Sequence, residues 1–248
     1  MKKPHFYAVI IGTEILNGRR NDKHFPFLKQ LLEERGYTLF ASFVIKDDAE
    51  LIERTYRMIM ADPNSVMFSF GGIGSTPDDL TRSVAAKVFT EKPLVRHKKF
   101  ERDIIERFGD DAYPHRIFMS DLPENSELLK NPVNNMSGFY LQRRFFFVPG
   151  FPEMAHTMIL QALDDFFPPN DKIYRHTLLA YTGEASLIDL MKEVPSDIEF
   201  SSLPILNRGN PMVEISVAGY NKDETLKWFL KFSDFLDDSK IKYTTEPQ

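Results

Sequence analysis

The sequence predicts an α/β fold, a three-layer domain around a mostly parallel sheet, followed by a smaller α+β domain. Three observations predict it. Short β-rich apolar runs alternate with amphipathic helical stretches up to about residue 90, the rhythm of a parallel sheet covered on both faces. Apolar strands stop at glycine or proline turns from which helices start, as at Gly71-Gly72-Ile73-Gly74 and Pro149-Gly150. Two prolines in Phe167-Pro168-Pro169-Asn170-Asp171 precede a fresh strand, which places domains at 1–170 and 172–248.

Phe6–Ile11 reads as the first strand, ending at Gly12. Glu14 and Asn17 then lie just past a strand end, where open α/β sheets place their ligands. Residues 23–36 carry Phe27, Leu28, Leu31 and Leu32 at helical spacing and stop at Gly36. A second strand, Tyr37–Ile45, leads to Asp48 as N-cap of a helix over Ala49–Ala61, which leaves Asp47 on the ligand side. Ser65–Phe70 reads as a buried strand. After the glycines, Thr76 suits an N-cap, Pro77 the first helical position, and Asp79 completes a box-like cap ahead of Leu80, Val84 and Val88.

Residues 97–108 predict an amphipathic helix with Phe100, Ile104, Ile105 and Phe108 inward. Gly109–Asn135, with Pro114, Pro123 and Pro132, reads as a long irregular segment of the kind that serves function or an interface. Gly138–Leu141 and Phe145–Val148 follow as strands joined by Gln142-Arg143-Arg144, and a helix over Glu153–Phe166 carries Met154, Met158, Ala162 and Leu163 inward. The second domain reads strand, helix, strand, strand, helix, strand: Ile173–Tyr181, Glu184–Lys192, Ile198–Leu203, Met212–Tyr220, Lys222–Leu236 and Ile241–Thr245.

Composition narrows the classes. A net charge of −5 over 248 residues lacks the basic balance expected of nucleic-acid or anionic-membrane binding. With no cysteine there is no thiolate zinc site and no disulfide, which fits a reducing cytoplasm. The opening MKKPHFYAVIIGTEI has too brief an apolar run for a signal peptide or a membrane span, so a soluble cytoplasmic protein is expected.

The turn at 71–79 is the informative chemistry. Free backbone N–H groups and a helix dipole can hold a phosphate there, yet Asp78 and Asp79 would repel a bare phosphate. A divalent cation bridging carboxylate and phosphate resolves the conflict, whereas helix capping alone also accounts for both aspartates. No Gly-Lys-Ser/Thr follows, so the turn is not a P-loop. Glu153, at a helix start, suits capping and ligand binding equally. The six histidines show no metal-ligand spacing; His24 stands apart because its helix start faces the same sheet edge.

GGIGSTPDDLT at 71–81 closely resembles the GGxGPTxDDLT signature of the molybdopterin-binding domain found in CinA, in MoaB/MogA-type molybdenum-cofactor proteins and in some FAD synthases. IIGTEILNG at 10–18 and VPGFPEM at 148–154 match the CinA branch in order; Ser75 departs, standing where the family usually has proline. Arg116, Met119, Pro123 and Asn131 weakly resemble a further block, and Gly183-Glu184-Ala185-Ser186-Leu187 resembles the GIGES-x-L element of the small second domain. The resemblance implies catalytic roles for Asp47 and Asp79. With it, the expected substrate contacts are Glu14, Asn17, Gly71, Gly72, Gly74, Ser75, Thr76, Thr81, Pro149, Gly150 and Glu153, and the expected metal ligands are Asp47, Asp79 and Asp78, holding Mg, Mn or Co. It implies a metal-dependent pyrophosphatase acting on ADP-ribose or a related nucleotide. The alternatives are a molybdopterin-binding or adenylyl-transfer protein of molybdenum-cofactor synthesis, or a non-catalytic binding protein. It further implies a homo-oligomer, dimer or trimer, while the acidic balance implies no nucleic-acid or membrane partner. Full-length CinA proteins carry a further domain that deamidates nicotinamide mononucleotide; this chain ends at Gln248 without room for it, so that activity is not expected.

Overall fold

A computed structural model of the chain describes residues 4–207 and 210–245. It divides into two compact units, Met1–Pro169 and Asn170–Gln248.

The first unit begins with β1 (His5–Ile11), a one-turn α1 (Thr13–Leu16), α2 (His24–Glu34), β2 (Leu39–Ile45), α3 (Ala49–Ala61), β3 (Ser65–Phe70) and α4 (Thr81–Phe89). It continues through β4 (Val95–Arg96), α5 (Lys98–Phe108), β5 (Asp121–Leu122), β6 (Glu127–Leu129), β7 (Gly138–Leu141), β8 (Phe145–Val148) and α6 (Pro152–Phe166). The main sheet has the order β2-β1-β3-β8-β7-β6. Its first four strands run parallel, and the β8–β7 and β7–β6 pairs are antiparallel.

Side chains along a strand alternate between faces, and β1 shows how this makes three layers. Tyr7, Val9 and Ile11 pack with Ile52, Tyr56 and Ile59 of α3, Val84 and Val88 of α4, and Phe100 and Ile104 of α5. Phe6, Ala8 and Ile10 pack on the other face with Leu28 and Leu32 of α2 and Met158, Ile159 and Leu163 of α6. Because β1 and β3 lie inside the sheet with both faces covered, they read as continuous apolar runs. Within the first core, the Tyr56 hydroxyl meets Ser69 Oγ at 2.7 Å, so the one polar end of that side chain is satisfied.

Local chemistry sets the helix ends. The Asp48 side chain accepts from the Leu51 N–H and starts α3; His97 Nδ1 accepts from Phe100 N–H and starts α5. Two expectations need correction. The helix after the glycine turn starts at Thr81 rather than at Thr76, because Asp79 Oδ2 takes the Thr76 N–H and hydroxyl while the Asp79 N–H bonds Thr76 O, closing a turn before the helix can propagate. Ile105 is 38% exposed rather than inward, since α5 lays only its Phe100–Ile104 side on the core. The segment 109–135 is also more ordered than its prolines suggest. It makes two 3₁₀ turns at 109–112 and 116–120, pairs β5 with β4, and adds β6 to the main sheet.

The second unit holds β9 (Tyr174–Ala180), α7 (Ile188–Lys192), β10 (Glu199–Asn207), β11 (Asn210–Gly219), α8 (Lys222–Asp238) and β12 (Tyr243–Thr245). Its antiparallel sheet has the order β10-β11-β9-β12. Leu178, Val213, Ile215 and Val217 pack against Trp228, Phe229, Phe232 and Leu236 of α8, which Asn221 caps. The helix expected over 184–192 is split into a 3₁₀ turn at 184–186 and the short α7. Among the described residues, no helix is long and apolar enough to cross a membrane.

Candidate functional site

Four parallel strands bring their carboxyl ends to one edge. The Gly12 N–H bonds Ile45 O at 3.0 Å and the Gly71 N–H bonds Val148 O at 2.9 Å, so the chain leaving β1, β2, β3 and β8 converges there. This is where open α/β sheets hold ligands. The segments containing Glu14, Asp47, Gly71–Asp79 and Pro149–Gly150 all start from that edge.

The glycine loop is held tightly. Gly71 has φ +96°, and a Cβ there would stand 2.5 Å from Ile11 O, so the backbones of two strand ends touch where a side chain cannot fit. Thr81, fully buried, returns its hydroxyl to Gly71 O at 2.9 Å and its N–H to Gly72 O at 3.0 Å. The first helical N–H of α4 is therefore spent on the loop's own carbonyl and is not free for an anion, a correction to the expectation of a converging helix start. Asp79 folds back over the same loop: its Oδ2 accepts from Thr76 N at 2.8 Å and Thr76 Oγ1 at 2.6 Å. Asp78 is exposed, and the nearby Thr76 hydroxyl and its own backbone N–H hold its carboxyl below the usual carboxylate range.

Beside this loop lies a cavity of about 520 Å³, in the size range of small-molecule sites. Gly72 to Thr76 and Asp79 form one side, and Pro149, Gly150 and Phe151 a second. Phe100 and Phe108 of α5 and the thioethers of Met119, Met136 and Met154 make the rest largely apolar, with Arg116 as the one lining cation. Arg116 lies over the Phe108 ring, 4.8 Å from its centroid, and donates to Asp111 O. The surface suits a flat heterocycle whose polar edge meets one carboxylate, one guanidinium and a glycine backbone.

The other predicted residues do not line this cavity. Asp47 Oδ2 accepts from Thr13 N and Thr13 Oγ1, both at 2.8 Å, and so fixes the chain after β1. Glu14 reaches Arg20 at 3.8 Å, and Asn17 turns to Arg19. Glu153 lies in the first turn of α6. His24 is buried, stacks on Phe70 with centroids 4.4 Å apart, and donates from Nε2 to Gly150 O at 3.3 Å; burial lowers its pKa. It props the Pro149-Gly150 turn from behind. A larger polar recess, about 640 Å³, lies between α5 and the β6–β7 connection; it contains Asn131 of the weakly resembling block but no residue of the three main motifs, and shares only Ser137 with the motif cavity.

Among the described residues, no three His, Asp or Glu side chains are grouped to hold a metal ion, so Asp47, Asp78 and Asp79 do not form a ready-made ligand set. Among the described residues Oδ1 of Asp79 has no hydrogen-bond partner, which makes it the carboxylate oxygen left for a cation at the cavity. That donor set fits Mg²⁺ or Mn²⁺ only in the manner of phosphoryl-transfer sites, where one or two carboxylates share the ion with substrate phosphates.

Sequence reasoning missed Arg82 and the aromatic wall. Arg82 is 7% exposed and donates from Nη1 to both Ile73 O and Gly74 O; burial lowers its pKa while the Asp79 charge opposes that shift. The signal was present: Arg82, Ala85 and Phe89 share a buried helical stripe, an unusual place for a guanidinium.

A sequence model of the family described as "Probable molybdopterin binding domain" matches residues 7–168. The chain is 25% identical over 226 residues to Protein Ta0487 of Thermoplasma acidophilum, covering 88% of each. It is 31% identical over 158 residues to a CinA-like protein of Acaryochloris marina, covering 61% of this chain and 37% of that one. The solved structure of the protein CinA, of unknown function, from Thermoplasma acidophilum aligns with a TM-score of 0.60 at 25% identity, over 66% of this chain and 98% of the other.

Proposed function

The chain belongs to the molybdopterin-binding domain family, with CinA-like proteins among its relatives, and from that premise we propose that its first unit binds a phosphorylated flat heterocycle in the cavity beside Asp79. We propose further that the ligand is ADP-ribose or a related nucleotide, whose phosphoanhydride is hydrolysed with a divalent cation. The observation that supports this is the pairing of an apolar, aromatic-walled cavity with a rigid glycine loop and a carboxylate on one rim. The wall buries the heterocycle, the loop backbone meets the phosphates, and Asp79 Oδ1 with those phosphates holds the cation. When bound, the cation supplies charge neutralisation and an activated water. In this reading Asp47 orders Thr13 and the chain after β1 at the rim, and Asp78, exposed, contributes only field.

A second reading is favoured by the apolar wall and by the lack of a three-ligand metal group among the described residues: binding of a pterin such as molybdopterin without hydrolysis. Thermal unfolding with each ligand separates the two. On the first reading ADP-ribose raises Tm only when Mg²⁺, Mn²⁺ or Co²⁺ is present, because an unshielded Asp79 repels the diphosphate. EDTA then abolishes both the shift and the hydrolysis. A metal-independent shift with molybdopterin, larger than that with ADP-ribose at equal concentration, rejects the pyrophosphatase reading in favour of the second.

A further inference from the structure

Arg82 poses a physical problem. Its guanidinium is 7% exposed, its Nε has no hydrogen-bond partner, and among the described residues no carboxylate lies within ion-pair distance. A buried charge of this kind is costly, and what it does make is specific: Nη1 donates to two consecutive backbone carbonyls, Ile73 O and Gly74 O.

Those two bonds determine where the next two amides point. In a trans peptide the C=O and N–H of one unit face opposite ways. With the 73 and 74 carbonyls both drawn to Arg82, the Gly74 and Ser75 N–H groups are directed away from it. Gly74 and Ser75 line the cavity and Arg82 does not, so the far side of the loop is the cavity side. Among the described residues neither N–H has a hydrogen-bond partner, whereas the next one, Thr76 N–H, is taken by Asp79. Successive free amides on a turn are an anion-binding concavity.

We propose that Arg82 is a positioning residue that builds an oxyanion subsite from the Gly74 and Ser75 N–H groups, and that this subsite takes a phosphate or diphosphate oxygen of the ligand. The inference rests on the cavity being the ligand site and adds which atoms hold the anion. Ser75 gives this chain a donor that proline at the same position lacks, together with a hydroxyl that makes no hydrogen bond among the described residues. The nearest opposing charge is Asp79, whose Oδ2 would stand 2.5 Å from a Cβ built on Gly74; Arg82 lies behind the same loop and offsets it.

The test is calorimetric titration of inorganic pyrophosphate and, separately, of uncharged adenosine, at one fixed Mg²⁺ concentration. The proteins are wild type, Arg82→Met, Arg82→Lys, Ser75→Pro and Ser75→Ala. Arg82→Met weakens pyrophosphate about tenfold or more, the scale of a lost charge-assisted hydrogen bond, and leaves adenosine within about twofold. Arg82→Lys, which still donates to the two carbonyls, recovers a substantial part of that loss. Ser75→Pro, which deletes one N–H with Arg82 intact, weakens pyrophosphate several-fold beyond Ser75→Ala and carries the test if Arg82→Met does not fold. Unchanged pyrophosphate binding in Ser75→Pro, or equal weakening of both probes in Arg82→Met, overturns the subsite. Wild type that binds adenosine but not pyrophosphate also overturns it and leaves the cavity reading standing; pyrophosphate without adenosine keeps the anion subsite and rejects only the heterocycle against the apolar wall, and binding of neither rejects both.

Discussion

Replacing Gly71 with alanine tests how the glycine loop is built. Two costs add. At φ +96° an L side chain is strained by roughly 1–2 kcal/mol. The added Cβ also meets Ile11 O at 2.5 Å, and because that atom is backbone in β1, relief requires the ends of β1 and β3 to separate, an overpacking cost of about 1–3 kcal/mol. The expected loss is therefore roughly 2–5 kcal/mol. Gly18 provides the control: φ is +77°, but nothing lies within 4 Å of a Cβ there, so Gly18→Ala carries the strain alone, about 1–2 kcal/mol. Urea unfolding followed by far-UV circular dichroism measures both. The sole tryptophan, Trp228, lies in the core of the second unit, so its fluorescence reports that unit separately. Losses in the two variants that agree within about 0.5 kcal/mol would show that the Ile11 carbonyl exerts no steric limit, and the close approach of the strand ends would lose its structural meaning.

Three further outcomes follow from the same geometry. Asp79→Asn keeps an oxygen for Thr76 and should remain folded while losing metal-dependent turnover by about 10²-fold or more; exposed Asp78→Asn should lose much less, and equal activity in all three proteins leaves only the binding reading. Asp48→Ala, which removes the N-cap of α3, should cost about 1 kcal/mol in urea unfolding without affecting ligand affinity. His156 stacks on Phe27 with centroids 3.6 Å apart, and burial together with the nearby His24 pushes its pKa down to about 4. The folded chain thus binds fewer protons than the unfolded one between pH about 4 and 6.5, so this group's contribution to stability is complete above pH 6.5 and falls as pH drops toward 4. His156→Phe should flatten the Tm-versus-pH curve in that window relative to wild type, leaving the part due to His24; identical curves would refute the assignment.

Much of the scaffold was legible because its signals are local. Asp48 as N-cap announces α3, whose expected bounds Ala49–Ala61 are the observed ones, and the uninterrupted apolar runs of β1 and β3 mark strands covered on both faces. The start of α4 was not legible, since a Thr-x-x-Asp sequence can close a turn or cap a helix, and only the packing of Thr81 onto Gly71 and Gly72 decides between them. β6 is three residues long and exists through its pairing with β7, a contact that propensity does not encode. In the site, the motif residues Gly72 to Thr76, Asp79, Pro149 and Gly150 do share one cavity. Asp47, Glu14 and Asn17 do not line it; they meet Thr13, Arg20 and Arg19 instead. Arg116 and Met119 of the 116–137 segment belong to the weakly resembling block, but Phe100 and Phe108 of α5 and Asn134, Met136 and Ser137 lie far in sequence from the glycine loop and carry no motif.

A crystal structure of the chain with ADP-ribose and Mg²⁺ tests the central claim most directly. The expected result is a phosphate oxygen within hydrogen-bond distance of the Gly74 and Ser75 N–H groups, a cation at Asp79 Oδ1, and the heterocycle against Phe100 and the methionine side chains. Ligand density in the polar recess lined by Lys99, Arg107 and Lys130, with the cavity beside Asp79 empty, would contradict it.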